Sequence, residues 1–192
     1  MPAKRVYLAG PEVFLPNPLE IGAAKRAICA KHGLEGVFPL DNEIDLTGLS
    51  PQEAGLKIYR ANRTCMDGCD LVIANMTPFR GPSMDVGTAF EMGYMRGLGR
   101  PVFGYSNVET RFFERTAAFY GGRLEPREGD GSPSDPLGHQ VERFGLVDNL
   151  MLDGAVDDAG VAVITRTVPE EARYTNLSAF EACVELAARN LD

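Results

Sequence analysis

Tryptophan is absent from this 192-residue chain, histidine occurs only twice and cysteine only four times. With His32 and His139 alone, a histidine metal site or a Ser-His-Asp triad would have to rest on a residue without motif context. Cys29, Cys65, Cys69 and Cys183 are too sparse for a disulfide scaffold, and Cys65-x3-Cys69 lacks a second pair for zinc, so they read as buried thiols. No apolar run approaches the roughly 20 residues that span a bilayer. Met1-Pro2-Ala3-Lys4-Arg5 leads straight into a short strand-like run rather than a signal-peptide core, which points to the cytoplasm and away from a membrane. Basic side chains are also in deficit: 19 Lys and Arg against 27 Asp and Glu leave a net charge of −8. Such a molecule repels phosphate backbones, which argues against a nucleic-acid polymer as partner. Walker lysine and G-x-G-x-x-G motifs are both missing, which weakens kinase and dehydrogenase readings.

What is present alternates regularly. Arg5–Gly10 is a β-leaning run, and Leu19–His32 follows with helical spacing. Gly36–Leu40 is a short apolar segment, and a polar loop, Asp41–Gly48, comes next. Ser50-Pro51-Gln52-Glu53 carries the serine cap, first-turn proline and reciprocal glutamate of a helix start, with the helix expected to reach about Met66. Asp70–Asn75 is an apolar run between polar ends, as in a strand covered on both faces. Ser83 is placed to cap a helix from Met84 to about Gly97, and Pro101–Tyr105 supplies the next strand. These repeated strand–helix units imply right-handed βαβ crossovers. The expected fold is a single-domain α/β sandwich over 1–192, a doubly wound, flavodoxin-like or Rossmann-like parallel sheet. A short helix is expected near Arg111–Tyr120, then a Gly- and Pro-rich surface loop, an insertion around 121–140. The tail offers a β-like run from Val161 and a helix over Phe180–Leu191 opened by a Ser178-x-x-Glu181 capping box.

Ligands of open parallel sheets bind outside the carboxyl ends of the strands. There the sequence places Tyr7–Glu12, Asn75–Pro82 and the start of the helix after the third strand, three segments expected to converge. Helical side chains lean towards the N-terminus, so Glu91 lies over Gly87, whose missing side chain leaves room for a small molecule. Asp85 stands in the first turn, so two carboxylates flank one space. Paired acids suit chemistry at a sugar anomeric carbon. Spacing alone favours the plainer reading, in which Asp85 serves the helix dipole and Glu91 faces water.

Tyr7-Leu8-Ala9-Gly10-Pro11-Glu12-Val13-Phe14, Asp70–Asn75, Gly81–Gly93 and Asn149-Leu150-Met151 together resemble the nucleoside 2-deoxyribosyltransferase family. The Asp85-x-Gly87-Thr88-x-x-Glu91-x-Gly93 core is its most specific part. The resemblance implies that Glu91 is a nucleophile attacking C1′ of a 2′-deoxynucleoside, with Tyr7 orienting it. It makes Asp70 and Asp85 the two further acids, the first near the base and the second on sugar hydroxyls, and leaves open which one protonates the departing base. Asn149 and Met151 would reach a neighbouring subunit's site, implying a homo-oligomer, and Phe14 would stack on the base or simply belong to the core. The implied partners are 2′-deoxynucleosides and free purine or pyrimidine bases, and no metal or organic cofactor is required. The long Ser106–Gln140 segment and the residues beyond Asp153 depart from shorter members and leave subunit contacts open, as the Asp41–Gly48 loop leaves base preference. Two other functions remain in view: hydrolysis of 2′-deoxynucleosides or their 5′-phosphates, with Arg80, Gly81 and Ser83 as a weak anion seat, and nucleotide sensing without turnover.

Overall fold

A computed structural model describes residues 2–41, 43–127 and 129–191. Five parallel strands run in the order β2-β1-β3-β4-β7: β1 (Lys4–Ala9), β2 (Leu34–Val37), β3 (Leu71–Asn75), β4 (Val102–Ser106) and β7 (Ile164–Thr165). Six helices cover the sheet: α1 (Pro18–Lys31), α2 (Pro51–Asp67), α3 (Val86–Gly97), α4 (Phe112–Phe119), α5 (Leu150–Asp157) and α6 (Ser178–Arg189). This is the doubly wound α/β sandwich that the alternation implies. No helix among the described residues is long and apolar enough to cross a membrane.

Every residue of β3 is buried, because β1 and β4 flank it and helices cover both faces. Each such aliphatic side chain contributes about 1.5–3 kcal/mol. Alternate residues of β1 divide between the two layers. Val6 and Leu8 pack with Phe180, Cys183 and Val184 of α6. Tyr7 and Ala9 face Met92 and Met95 of α3. The strand period of two therefore aims Tyr7 at α3. Strand order reverses between β1 and β3, so a crevice opens beyond Ala9 and Asn75.

The capping box at Ser50 forms as read, with Ser50 and Glu53 bonded reciprocally. Two other helix starts differ. Ser83 does not cap α3: its hydroxyl donates to Asp148 Oδ1, and Asp85 is the cap, accepting from Thr88 N at 2.9 Å. Ser178 does not form a box either, since its hydroxyl donates to Asn176 while Glu181 pairs with Lys31. At Ser83 a long-range partner takes the serine, and at Ser178 a neighbouring asparagine takes the serine while the distant Lys31 takes the glutamate. The 121–140 stretch is not structureless: it folds a small antiparallel pair, β5 (Glu125–Pro126) and β6 (Pro133–Ser134). Cys29, Cys69 and Cys183 are buried, and loss of hydration pushes the Cys29 thiol up to about 11 and Cys69 up to about 12.

Candidate active site

At the carboxyl end of the sheet the buried Tyr7 hydroxyl donates to Glu91 Oε1 at 2.7 Å, across 84 residues of sequence. Glu91 belongs to α3, where Thr88, Met92 and Met95 are buried and hold the helix against the sheet. Its carboxyl is pushed up to about 7, chiefly by loss of hydration; the charges of Asp85 and Glu12 add to the rise, and the Tyr7 hydrogen bond opposes it. Tyr7 is raised well above the usual phenol range by burial and by the Glu91 charge, so it remains a hydrogen-bond donor. A carboxyl with this ionisation and a fixed donor on one oxygen is suited to act as a nucleophile near neutral pH.

Asp85 caps α3 through Oδ2 alone, which takes both Thr88 N and Thr88 Oγ1. A side chain on the exposed Gly87 would put its Cβ 3.0 Å from that same oxygen, so glycine keeps the cap unobstructed. Phe14 follows Gly10 on a tight 3-10 turn, Pro11–Phe14, and stacks on Phe79 with ring centres 5.6 Å apart. Arg80 lies over both rings, and its backbone is left-handed at φ 57°, strained for a residue with a side chain.

Asp70 does not join this constellation. It precedes β3, at the amino edge of the sheet, where its carboxylate accepts from Arg5 N at 2.8 Å and Lys4 Nζ at 3.4 Å. Five residues of strand, about 16 Å at 3.3 Å each, separate it from Asn75 at the crevice. Parallel strands send the residue before β3 and the residue after it to opposite ends, so the expectation for Asp70 is corrected. Asn149 caps α5 through its side-chain oxygen and donates to Glu142 Oε1 at 2.6 Å, and Met151 beside it is largely exposed.

Several residues at this end of the sheet escaped the sequence reading. An apolar cavity of about 440 Å³ is lined by Val13, Phe14, Ile44, Leu46 and Ile58, with Asn62 of α2 as its polar side chain. That volume falls in the usual range for small-molecule sites. Tyr59, next to Ile58, meets the ring of Phe90, next to Glu91, at 6.1 Å, which brings the cavity's helix against the helix that carries Glu91. The spacing Ile58-x3-Asn62, one face of α2, was the available signal. On the other layer, Glu12 and Lys25 form a buried ion pair. Its signal was a lysine on the stripe that also carries Ile21 and Cys29.

The comparisons with known proteins bear on this geometry. Residues 6–151 match the family described as nucleoside 2-deoxyribosyltransferase. The chain belongs to that family. Among solved structures it is similar to a 2-desoxiribosyltransferase from Leishmania mexicana, with a TM-score of 0.61 and 30% identity over 91% of this chain and 96% of that one. It shares its fold with a conserved protein from Enterococcus faecalis, at a TM-score of 0.55 and 16% identity over 96% of this chain and 99% of the other. An uncharacterized protein of Schizosaccharomyces pombe is 36% identical over 96% of this chain and 89% of its own length. The family match ends inside α5, so β7 and α6 lie beyond it, although Phe180 and Val184 of α6 complete the core.

Proposed function

We propose that the protein exchanges the bases of 2′-deoxynucleosides through a covalent deoxyribosyl ester on Glu91. The observation that carries this reading is the Tyr7–Glu91 hydrogen bond of 2.7 Å, set at the crevice of a family member. In the first half-reaction a Glu91 carboxylate oxygen bonds to C1′ while the bond from C1′ to the base nitrogen breaks. Its electron pair leaves with the base, which takes up a proton. In the second, a nitrogen of the acceptor base bonds to C1′, the ester bond breaks, and its electron pair returns to Glu91 as the acceptor loses its proton. Asp85 Oδ1 carries no bond among the described residues and is available to the sugar hydroxyls. The cavity beside Phe14 holds the base, with the Asn62 amide offering it both a donor and an acceptor. A 2′-deoxy sugar reacts more readily because an electron-withdrawing 2′-hydroxyl would destabilise the oxocarbenium-like transition state.

Asn149 and Met151 complete the site of a neighbouring copy in a homo-oligomer; for this, Asn149 would have to exchange its bond to Glu142 for one to substrate. The substrate on this reading is a nucleoside rather than a 5′-phosphate, because the anion seat weighed at Arg80, Gly81 and Ser83 is already used. Asp148 holds the Ser83 hydroxyl, and the Asp85 carboxylate occupies the start of α3.

The test is to incubate the protein with deoxyinosine or thymidine, with and without adenine or cytosine, and to follow products by chromatography with Glu91→Ala as control. New deoxynucleoside that requires both acceptor and Glu91 is the expected result. Free base released at the same rate without acceptor would make the enzyme a hydrolase, and binding without turnover would make it a sensor.

A further inference from the structure

Behind Gly10, in the layer between the sheet and helices α1 and α6, Glu12 Oε1 collects three donors. They are Lys25 Nζ at 2.6 Å, Asn75 Nδ2 at 3.0 Å and the Tyr105 hydroxyl at 2.9 Å. Both members of the ion pair are fully buried. Lys25 Nζ also lies 4.8 Å from the ring centre of Phe180 and 5.5 Å from that of Tyr105. Oε2, in contrast, is buried with no partner. It fills the space of a missing side chain, since a Cβ on Gly10 would stand 1.9 Å from Oε2 and 3.0 Å from Asn75 Cβ. Gly10-Pro11-Glu12 therefore reads as one device, in which the glycine lets the turn fold its glutamate back against the end of β1.

A buried ion pair is a poor way to stabilise a core, because desolvation offsets most of the attraction and apolar side chains of similar volume do as well or better. An acceptor left without a donor adds to that cost. The arrangement calls for another explanation, and its place supplies one. Through Asn75 and Tyr105 the carboxylate ties the carboxyl ends of β3 and β4 to the turn after β1, the strand that carries Tyr7.

We propose that Glu12 is a positioning residue of the reaction centre: pinned by Lys25, Asn75 and Tyr105 against Gly10, it fixes the crevice ends of three strands and holds a second carboxylate at the end of the sheet where Tyr7 meets Glu91. Its charge opposes ionisation of Glu91 in the free enzyme and favours the positive charge that develops at C1′ during attack. Groups able to carry charge around Glu91 are Tyr7 from β1, Asp85 from its own helix and Glu12. Around Glu12 they are Lys25 from α1, Tyr105 from β4 and Glu91 from α3, with Cys183 of α6 beyond Lys25 and Tyr105. Burial raises both Tyr105 and Cys183, so neither contributes a charge near neutral pH.

The catalytic half of this inference rests on Glu91 being the nucleophile; the coupling between the two carboxylates does not. The test therefore titrates Glu91 directly, following its side-chain carboxyl resonance by NMR in glutamate-labelled protein, assigned with Glu91→Gln. In Glu12→Gln the Glu91 midpoint should fall by at least about half a pH unit, with the folded spectrum retained. If removing one charge of the pair unfolds the chain, the double variant Glu12→Gln/Lys25→Met, which removes both, carries the same criterion. An unchanged midpoint in a folded variant would overturn the inference and leave Glu12 a scaffold residue. In the exchange assay Glu12→Gln should lower kcat about tenfold and leave KM within about twofold. A wild-type protein without exchange activity would refute the proposed function while the titration still decided the coupling.

Discussion

At the amino edge of the sheet Asp70 meets Lys4 and Arg5 in water, whereas at the carboxyl edge Glu91 meets Tyr7 largely out of it. The exposed acid is held below its usual range, first by the Arg5 backbone bond. The withdrawn one is pushed up to about 7. The concavities at the two ends differ as well. A recess of about 180 Å³ between Arg96, Arg100 and Asp158 lies where β4 begins, whereas the larger apolar cavity lies beside Phe14. Strand direction separates the two ends, because in an open parallel sheet the ligand crevice lies outside the carboxyl ends of the strands, where the order reverses between β1 and β3.

Substitutions should separate the two ends. The largest effect is expected for Glu91→Gln, which should cut exchange by about 10³-fold or more while leaving the protein folded. The same change should raise stability at pH 8. A folded carboxyl near 7 against an unfolded value of 4.5 means that the native state holds the extra proton between those values, so stability falls as pH rises through that window. Relief of this penalty by glutamine should be worth about 1–3 kcal/mol above pH 7 and vanish below pH 4.5, as thermal melts at several pH values would show. Next, Tyr7→Phe removes a hydrogen bond to a charged acceptor, and kcat should fall about 10- to 100-fold. Because that bond favours the anion, the acid limb of the pH–rate profile should move upward from about 7, the opposite direction to Glu12→Gln.

Asn62→Leu should raise KM about tenfold with kcat nearly unchanged, since it alters the cavity and leaves Glu91 and its Tyr7 bond in place. Asp85→Asn should keep the helix cap and weaken sugar binding, whereas Asp85→Ala should also cost about 1 kcal/mol in a denaturant melt. The smallest effect belongs to the amino edge: Asp70→Asn should leave exchange within about twofold and cost less than about 1 kcal/mol, as expected of an exposed pair. A large loss of exchange in Asp70→Asn would break the contrast between the two ends.

The alternation of apolar strands and capped helices was legible because each signal is local: the Ser50–Glu53 box and the apolar Leu71–Asn75 run need no knowledge of distant residues. Helix spacing put Glu91 and Asp85 beside one space, but it was the resemblance of the Tyr7–Phe14 and Gly81–Gly93 blocks that singled out Glu91, Tyr7 and Asp85 as a set. Asp70 was misplaced because position in a motif says nothing about the end of the strand at which a residue stands; parallel topology decides that. Ser83 satisfied the local capping rule and lost to Asp148, a partner that the fold supplies, whereas the Ser178 box lost its serine to Asn176 two residues upstream and its glutamate to the distant Lys31. Glu12 and Asn62 stayed hidden because their partners come from other elements, although a lysine on a buried stripe does announce a buried carboxylate.

The most direct test of the account is an acid quench of the protein with a deoxynucleoside donor and no acceptor, followed by intact-mass and peptide analysis. The expected result is one added deoxyribosyl group, carried by the peptide that contains Glu91, absent from Glu91→Gln and discharged when an acceptor base is supplied. Base release with no adduct at any time, or an adduct on another residue, would contradict it.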